Sequence, residues 1–120
     1  MALVARNFLK LAKLAAHAAD DKKAENVIVL DIHKESDIAD YVMIAGADST
    51  AQMKAVRDSV VNSMERQGLR PVHQEGLSTS RWIALDYGGM VIHILMPQAR
   101  HFYRLESLWV KAKRVRWNSK

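Results

Sequence analysis

The chain has 120 residues, 49% hydrophobic and 26% charged, the size and balance of one soluble globular domain burying ~65% of its unfolded surface. It has no cysteine, which excludes disulfides and cysteine-ligated zinc and suits a reducing, cytoplasmic setting. Its formal net charge of +5 lies wholly in Lys111, Lys113, Arg114, Arg116 and Lys120, because elsewhere thirteen bases meet thirteen acids. A neutral domain over residues 1–110 with a basic, solvated tail over 111–120 is therefore expected, and such a tail attracts phosphate without reading sequence.

Residues ~3–20 space Val4, Phe8, Leu11, Ala15 and Ala18 at helical intervals. This stretch has some transit-peptide character, but it runs unbroken into Asp20-Asp21 without a small-residue cleavage pattern, so a docked first helix is expected. Asn26–Ile32 and Tyr41–Ala47 are β-branched or apolar runs that read as two strands joined by a polar connection. Ser49 and Gln52 have capping-box spacing, Met53, Val56, Val60 and Met64 form the apolar stripe of a second helix, and Gly68 is placed to cap it. No apolar run approaches the ~20 residues of a membrane helix.

Val72–Glu75 predicts a third strand, and RWIALDYGGMVIHI predicts a hairpin hinged at Gly88-Gly89. A two-residue turn there pairs Tyr87 with Met90, Leu85 with Ile92 and Ile83 with Ile94 on one apolar face. The other face pairs Asp86 with Val91, Ala84 with His93 and Trp82 with Leu95, so it carries an indole, a carboxylate and an imidazole. Two readings fit this mixed face. In one, a helical layer covers Trp82 while His93 bonds Asp86; in the other the face receives a partner, with Trp82 as its anchor, Ala84 leaving room and Asp86 orienting by charge. After Pro97 a last helix aligns Phe102, Leu105, Leu108, Trp109 and Ala112. The sum is a single α/β (α+β) domain in the order α-β-β-α-β-β-β-α, with a mixed five-stranded sheet and helices packed on it.

Catalytic chemistry finds little support in the motifs. Gly46-Ala47-Asp48-Ser49 after a strand resembles a phosphate cradle but lacks the second glycine and the Lys-Ser/Thr of a Walker loop. No Asp-x-Asp or Asp-x-Glu strand stands near it to hold the metal ions of nucleotidyl transfer. The five histidines (17, 33, 73, 93 and 101) show no metal-ligand spacing, and there is no Gly-x-Ser-x-Gly elbow. Trp109 fits the last helix's core stripe, whereas Trp117 in the basic tail is open to base stacking, so an RNA-binding module is the alternative function.

The segments DKKAENVIVLDI, SDIADYVMIAGADSTAQMKAV, GLRPVHQEG, RWIALDYGGMVIHI and RHFYRLESLW, in this order and spacing, resemble the ribosomal silencing factor family, RsfS or Iojap, over roughly Leu11 to Trp109. The resemblance implies a nucleotidyltransferase-like fold without the catalytic carboxylates, no enzymatic activity and no cofactor or metal. It implies a translational repressor that binds the large ribosomal subunit through the large-subunit protein numbered fourteen, at the intersubunit face. Occupying that face blocks association with the small subunit under nutrient limitation, and members also assist large-subunit maturation and can form homodimers. By position, the family's partner-binding residues fall on Trp82, Asp86, Tyr87, His93, Glu75, Arg100 and Tyr103, and Ala84 joins them on the hairpin face; the basic tail past Trp109 is not a family hallmark, and its charge alone suggests a secondary contact with ribosomal RNA. The chain departs from relatives that carry Arg in the Thr-Gly-Thr-Ser-x-Arg-Gln pattern, having Ala51 there.

Overall fold

A computed structural model describes residues 7–37, 39–76, 81–98, 100 and 112–118. Its elements are α1 (Phe8–Asp21), β1 (Glu25–Asp31), β2 (Tyr41–Gly46), α2 (Thr50–Arg66), β3 (His73–Glu75), β4 (Trp82–Asp86), β5 (Met90–Leu95) and β6 (Lys113–Val115). The six strands form one sheet in the order β3-β4-β5-β2-β1-β6, with β2 and β5 parallel and the other neighbours antiparallel.

The sixth strand corrects the expected count of five. It comes from the segment expected to be a solvated tail: Lys113, Arg114 and Val115 pair with Asp31, Leu30 and Val29. Val115 packs on the main core, and Trp117 donates its indole N–H to the Val27 carbonyl at 2.9 Å. The helix expected beyond Pro97 falls mostly outside the described residues.

Both described helices start and stop on local chemistry. The Asn7 side chain accepts the Lys10 amide at 3.1 Å, and Ser49 Oγ accepts the Gln52 amide at 3.0 Å. Gln52 also ties α2 to the turn after α1, donating to the carbonyls of Lys22 and Lys23 at 3.2 and 2.9 Å. At the far end of α2, Gly68 at φ +75° donates to Glu65 O and Leu69 to Met64 O, the pair of bonds that closes a helix through a left-handed residue.

The alanines of α1 set the helix packing. Ala12, Ala15, Ala16 and Ala19 are fully buried with Met53, Val56, Val60 and Met64 of α2, and Ser59 Oγ donates to Ala18 O at 2.8 Å between the helices. Both helices lie on the sheet face that carries Val29, Met43, Ile83, Leu85, Met90, Ile92 and Ile94. The opposite face holds a second, smaller cluster of Ile28, Leu30, Val42, Ile44 and Leu95, with Trp82 and Val91 packed at its side.

The hairpin takes the register read from its alternation, with Tyr87 N–H donating to Met90 O at 2.9 Å across the turn. Gly88 stands at φ +87°, and Asp86 Oδ1 accepts its amide at 2.8 Å. Gly89 is required for a different reason. A Cβ there would come within 2.3 Å of the Phe8 ring, so the start of α1 rests directly on the turn peptide. Gly89→Ala is expected to lower stability by about 1–3 kcal/mol through overpacking. In a Phe8→Ala background most of that cost disappears, a non-additivity read by urea unfolding of the two single variants and the double.

Candidate functional site

The strand pairings align side chains into rows on the face away from α1 and α2. Glu75, Ala84 and His93 form one row that continues into Ile44 and Ile28. His73, Asp86 and Val91 form the next, continuing into Val42 and Leu30, and Trp82 lies beside Leu95. The β3–β5 end of this face is polar and the β2–β1 part apolar, because the alternation of β4 leaves Trp82, Ala84 and Asp86 half-buried while Ile83 and Leu85 are fully enclosed.

At the centre of the polar end, Trp82 Nε1 donates to His93 Nδ1 at 2.9 Å, with the two rings tilted at 59°. An indole can only donate, so Nδ1 must present a lone pair and the imidazole carries its proton on Nε2. Burial pushes His93 down from 6.5 to about 4, which keeps that lone pair in place at neutral pH. The expected His93–Asp86 bond is therefore replaced: His93 takes Trp82, and Asp86 takes the Gly88 amide of the turn.

The edge strand β3 brings two more groups. His73 and Glu75 face each other at 3.0 Å, both exposed. After Glu75 the chain turns at Gly76, φ +85°, where a Cβ would lie 2.2 Å from the Trp82 carbonyl oxygen. Gly76 thus lets the backbone leaving β3 pass against the strand that carries the indole. No hydrophobic or charge pattern in the sequence signals this contact.

Two of the remaining predicted site residues, Tyr87 and Arg100, do not join this patch. Tyr87 is the clear correction: it is 4% exposed and packs in the helix-side core, where burial pushes its hydroxyl up to about 12. Adjacent strand residues point to opposite faces, so Asp86 and Tyr87 cannot serve one surface. Arg100 lies instead near the β1–β2 end, its guanidinium donating to Glu25 O at 3.4 Å beside Gly46. Tyr103 lies outside the described residues. At the Gly46 end the fold also brings Asp48 against Glu25, whose carboxyl it pushes upward. Sequence spacing gives no hint of this pair, because its members stand on different elements.

The family model described as "Ribosomal silencing factor during starvation" matches residues 5–120. The chain belongs to this family. It is 34% identical over 103 residues to ribosomal silencing factor RsfS of Bacillus subtilis, covering 86% of this chain and 87% of that one. Over 91 residues the chain is also 31% identical to mouse "Mitochondrial assembly of ribosomal large subunit protein 1", covering 73% of this chain and 40% of the mouse protein. An X-ray structure of a protein from Chromobacterium violaceum superposes with a TM-score of 0.83 at 31% identity, covering 88% of both chains. The silencing-factor match includes residues 111–120, in keeping with β6 as part of the folded sheet.

Burial of the His93 ring makes stability depend on pH with a definite sign. The folded-state value lies below 6.5, so the unfolded chain takes up this proton first as pH falls. The contribution is complete above pH 6.5 and is lost between 6.5 and about 4, a loss of order 3 kcal/mol. His93→Asn places an acceptor near the position of Nδ1 but does not titrate. Its urea-unfolding stability is expected to fall less steeply than wild type between pH 7 and 4.5.

Proposed function

We propose that this chain is a non-enzymatic translational repressor that works by occupancy. It docks on the large ribosomal subunit through the large-subunit protein numbered fourteen, and its bulk keeps the small subunit from joining. Family membership supports the ribosomal setting, and the family description supports action during starvation. The mouse relative's name supports a further part in large-subunit assembly. Such a partner places the protein in the cytoplasm or an equivalent ribosome-containing compartment.

The observation that carries the reading is the half-buried Trp82 indole. It is fixed in orientation by His93, and the same face of a stiff three-strand platform carries the carboxylates of Asp86 and Glu75. A Trp of this kind offers a large contact area at low entropic cost, and neighbouring acids complement the Lys- and Arg-rich surface of a protein that lives against RNA. Ala84, between Glu75 and His93, leaves a shallow place for an incoming side chain. Steric exclusion requires affinity alone, so no turnover is asked of the site.

Sedimentation of the purified protein with isolated large and small subunits tests this directly. Wild type is expected to co-migrate with the large subunit and to deplete joined ribosomes. Trp82→Ala should weaken co-migration about 30-fold, the equivalent of ~2 kcal/mol at an interface anchor. Trp82→Phe, which keeps an apolar ring, should weaken it less, with circular dichroism showing both variants folded. Joined ribosomes that persist at saturating wild-type protein would defeat the reading.

A further inference from the structure

The basic segment is held to the fold at several points. β6 pairs with β1, Val115 is packed on the core, and the Trp117 indole is bonded to Val27 O and meets the His17 ring edge-on at 5.4 Å between centroids. Lys113, Arg114 and Arg116 are exposed along this edge. Alternation separates them. Lys113 shares the helix-side face with Asp31, whose carboxyl is held low, against its burial, by hydrogen bonds from His33 and in smaller part by the Lys113 charge, and both line a hollow of about 170 Å³ with His33, Lys34 and Glu35. Arg114 pairs with Leu30 and so stands on the other face, the one that carries Trp82 and Asp86. Four strand-to-strand steps separate Asp86 from Arg114 in one row, about 19 Å at the usual spacing.

One rigid face therefore carries an acidic, indole-bearing end and a cationic end. Two ends of opposite charge favour two partners of opposite charge. We infer that the β6 edge is a second docking site, for the phosphate backbone of folded RNA adjoining the protein contact, with Arg114 and Arg116 as its phosphate-binding residues. Docking at the Trp82 end, as proposed above, sets this edge on the same particle. The contact is to phosphate and not to bases. Trp117, the aromatic residue that could have stacked on a base, is spent on Val27 and His17 and is half-buried. A lipid surface fits poorly, since the large exposed apolar side chains among the described residues are Leu9 and Val72, neither of them on β6. Charge on an edge strand also guards it against pairing with another sheet, a role that needs no RNA and gives the experiment its counter-outcome.

The test is fluorescence anisotropy of a labelled RNA duplex titrated with the full chain at several salt concentrations, for wild type, Arg114→Gln/Arg116→Gln and Arg114→Lys/Arg116→Lys. Wild type is expected to bind with a steep salt dependence. The Gln variant should lose about two units of the slope of log K against log salt, so that going from 50 to 200 mM salt costs wild type roughly tenfold more than it costs the variant. The Lys variant, which keeps the charges, should restore the slope. An unchanged slope in the Gln variant, a Lys variant that fails to restore it while remaining folded, or competition by polyglutamate equal to that by unlabelled duplex RNA would each overturn the inference. Trp82→Ala should leave duplex binding as in wild type. Failure of the protein contact thus appears in subunit sedimentation with the anisotropy slope intact, and failure of the RNA contact appears in the anisotropy slope itself.

Discussion

The register of β4 against β5 decides which side of the sheet every candidate side chain occupies. A slip of one residue would carry Ile83 and Leu85 to the opposite face and bury Trp82 and Asp86 under the helices. Several contacts prevent it. The two-glycine turn accommodates a positive φ at Gly88, Asp86 holds the turn amide, and Phe8 lies against Gly89. The enclosed pairs Ile83–Ile94 and Leu85–Ile92 add an apolar penalty to any shift. The first turn of α1 thereby bears on the surface that presents the indole, although it touches no part of that surface.

Much of this was legible in the sequence because its determinants are local. Gly88-Gly89 between alternating strands fixes the hairpin, Ser49 and Gln52 begin α2, and Gly68 ends it. β6 was not legible, since Lys-Arg-Val-Arg signals charge and only Val115 and Trp117 contribute burial. Their partners Val29 and Val27 are more than eighty residues earlier in the chain. The site was partly legible. Alternation alone places Trp82, Ala84, Asp86 and His93 together, whereas reading Asp86 and Tyr87 as one motif puts two opposite-facing residues on one surface. On β4, Trp82 and Asp86 are both diagonal neighbours of His93, two residues either side of its partner Ala84, so pairing could not choose between them. The choice follows from competition: the turn amide claims Asp86, leaving the indole N–H for the imidazole.

Charge is distributed along the sheet in a way that net charge conceals. The body is neutral and the excess lies in one edge segment, but pairing with β1 places that edge in line with the acidic end of the same face. A flexible tail would average its field over many positions and lose entropy on each contact. A paired strand has already lost most of that freedom in folding, so a partner meets cations whose spacing is fixed.

The low proton affinity of His93 bears on how the indole can act as an anchor. Were the imidazole to titrate near neutrality, a proton on Nδ1 would face the Trp82 N–H, the bond would be lost and the ring would be free to turn. Enclosing the imidazole lowers its value to about 4 and keeps it neutral through the range in which cells operate. The cost is a polar ring in a largely apolar row, offset by the bond to Trp82. That cost is justified if the orientation of Trp82 matters more than the last increment of core stability. The half-buried state of Trp82 fits such an exchange: its packing against the second cluster steadies the ring, and its remaining surface is available for contact.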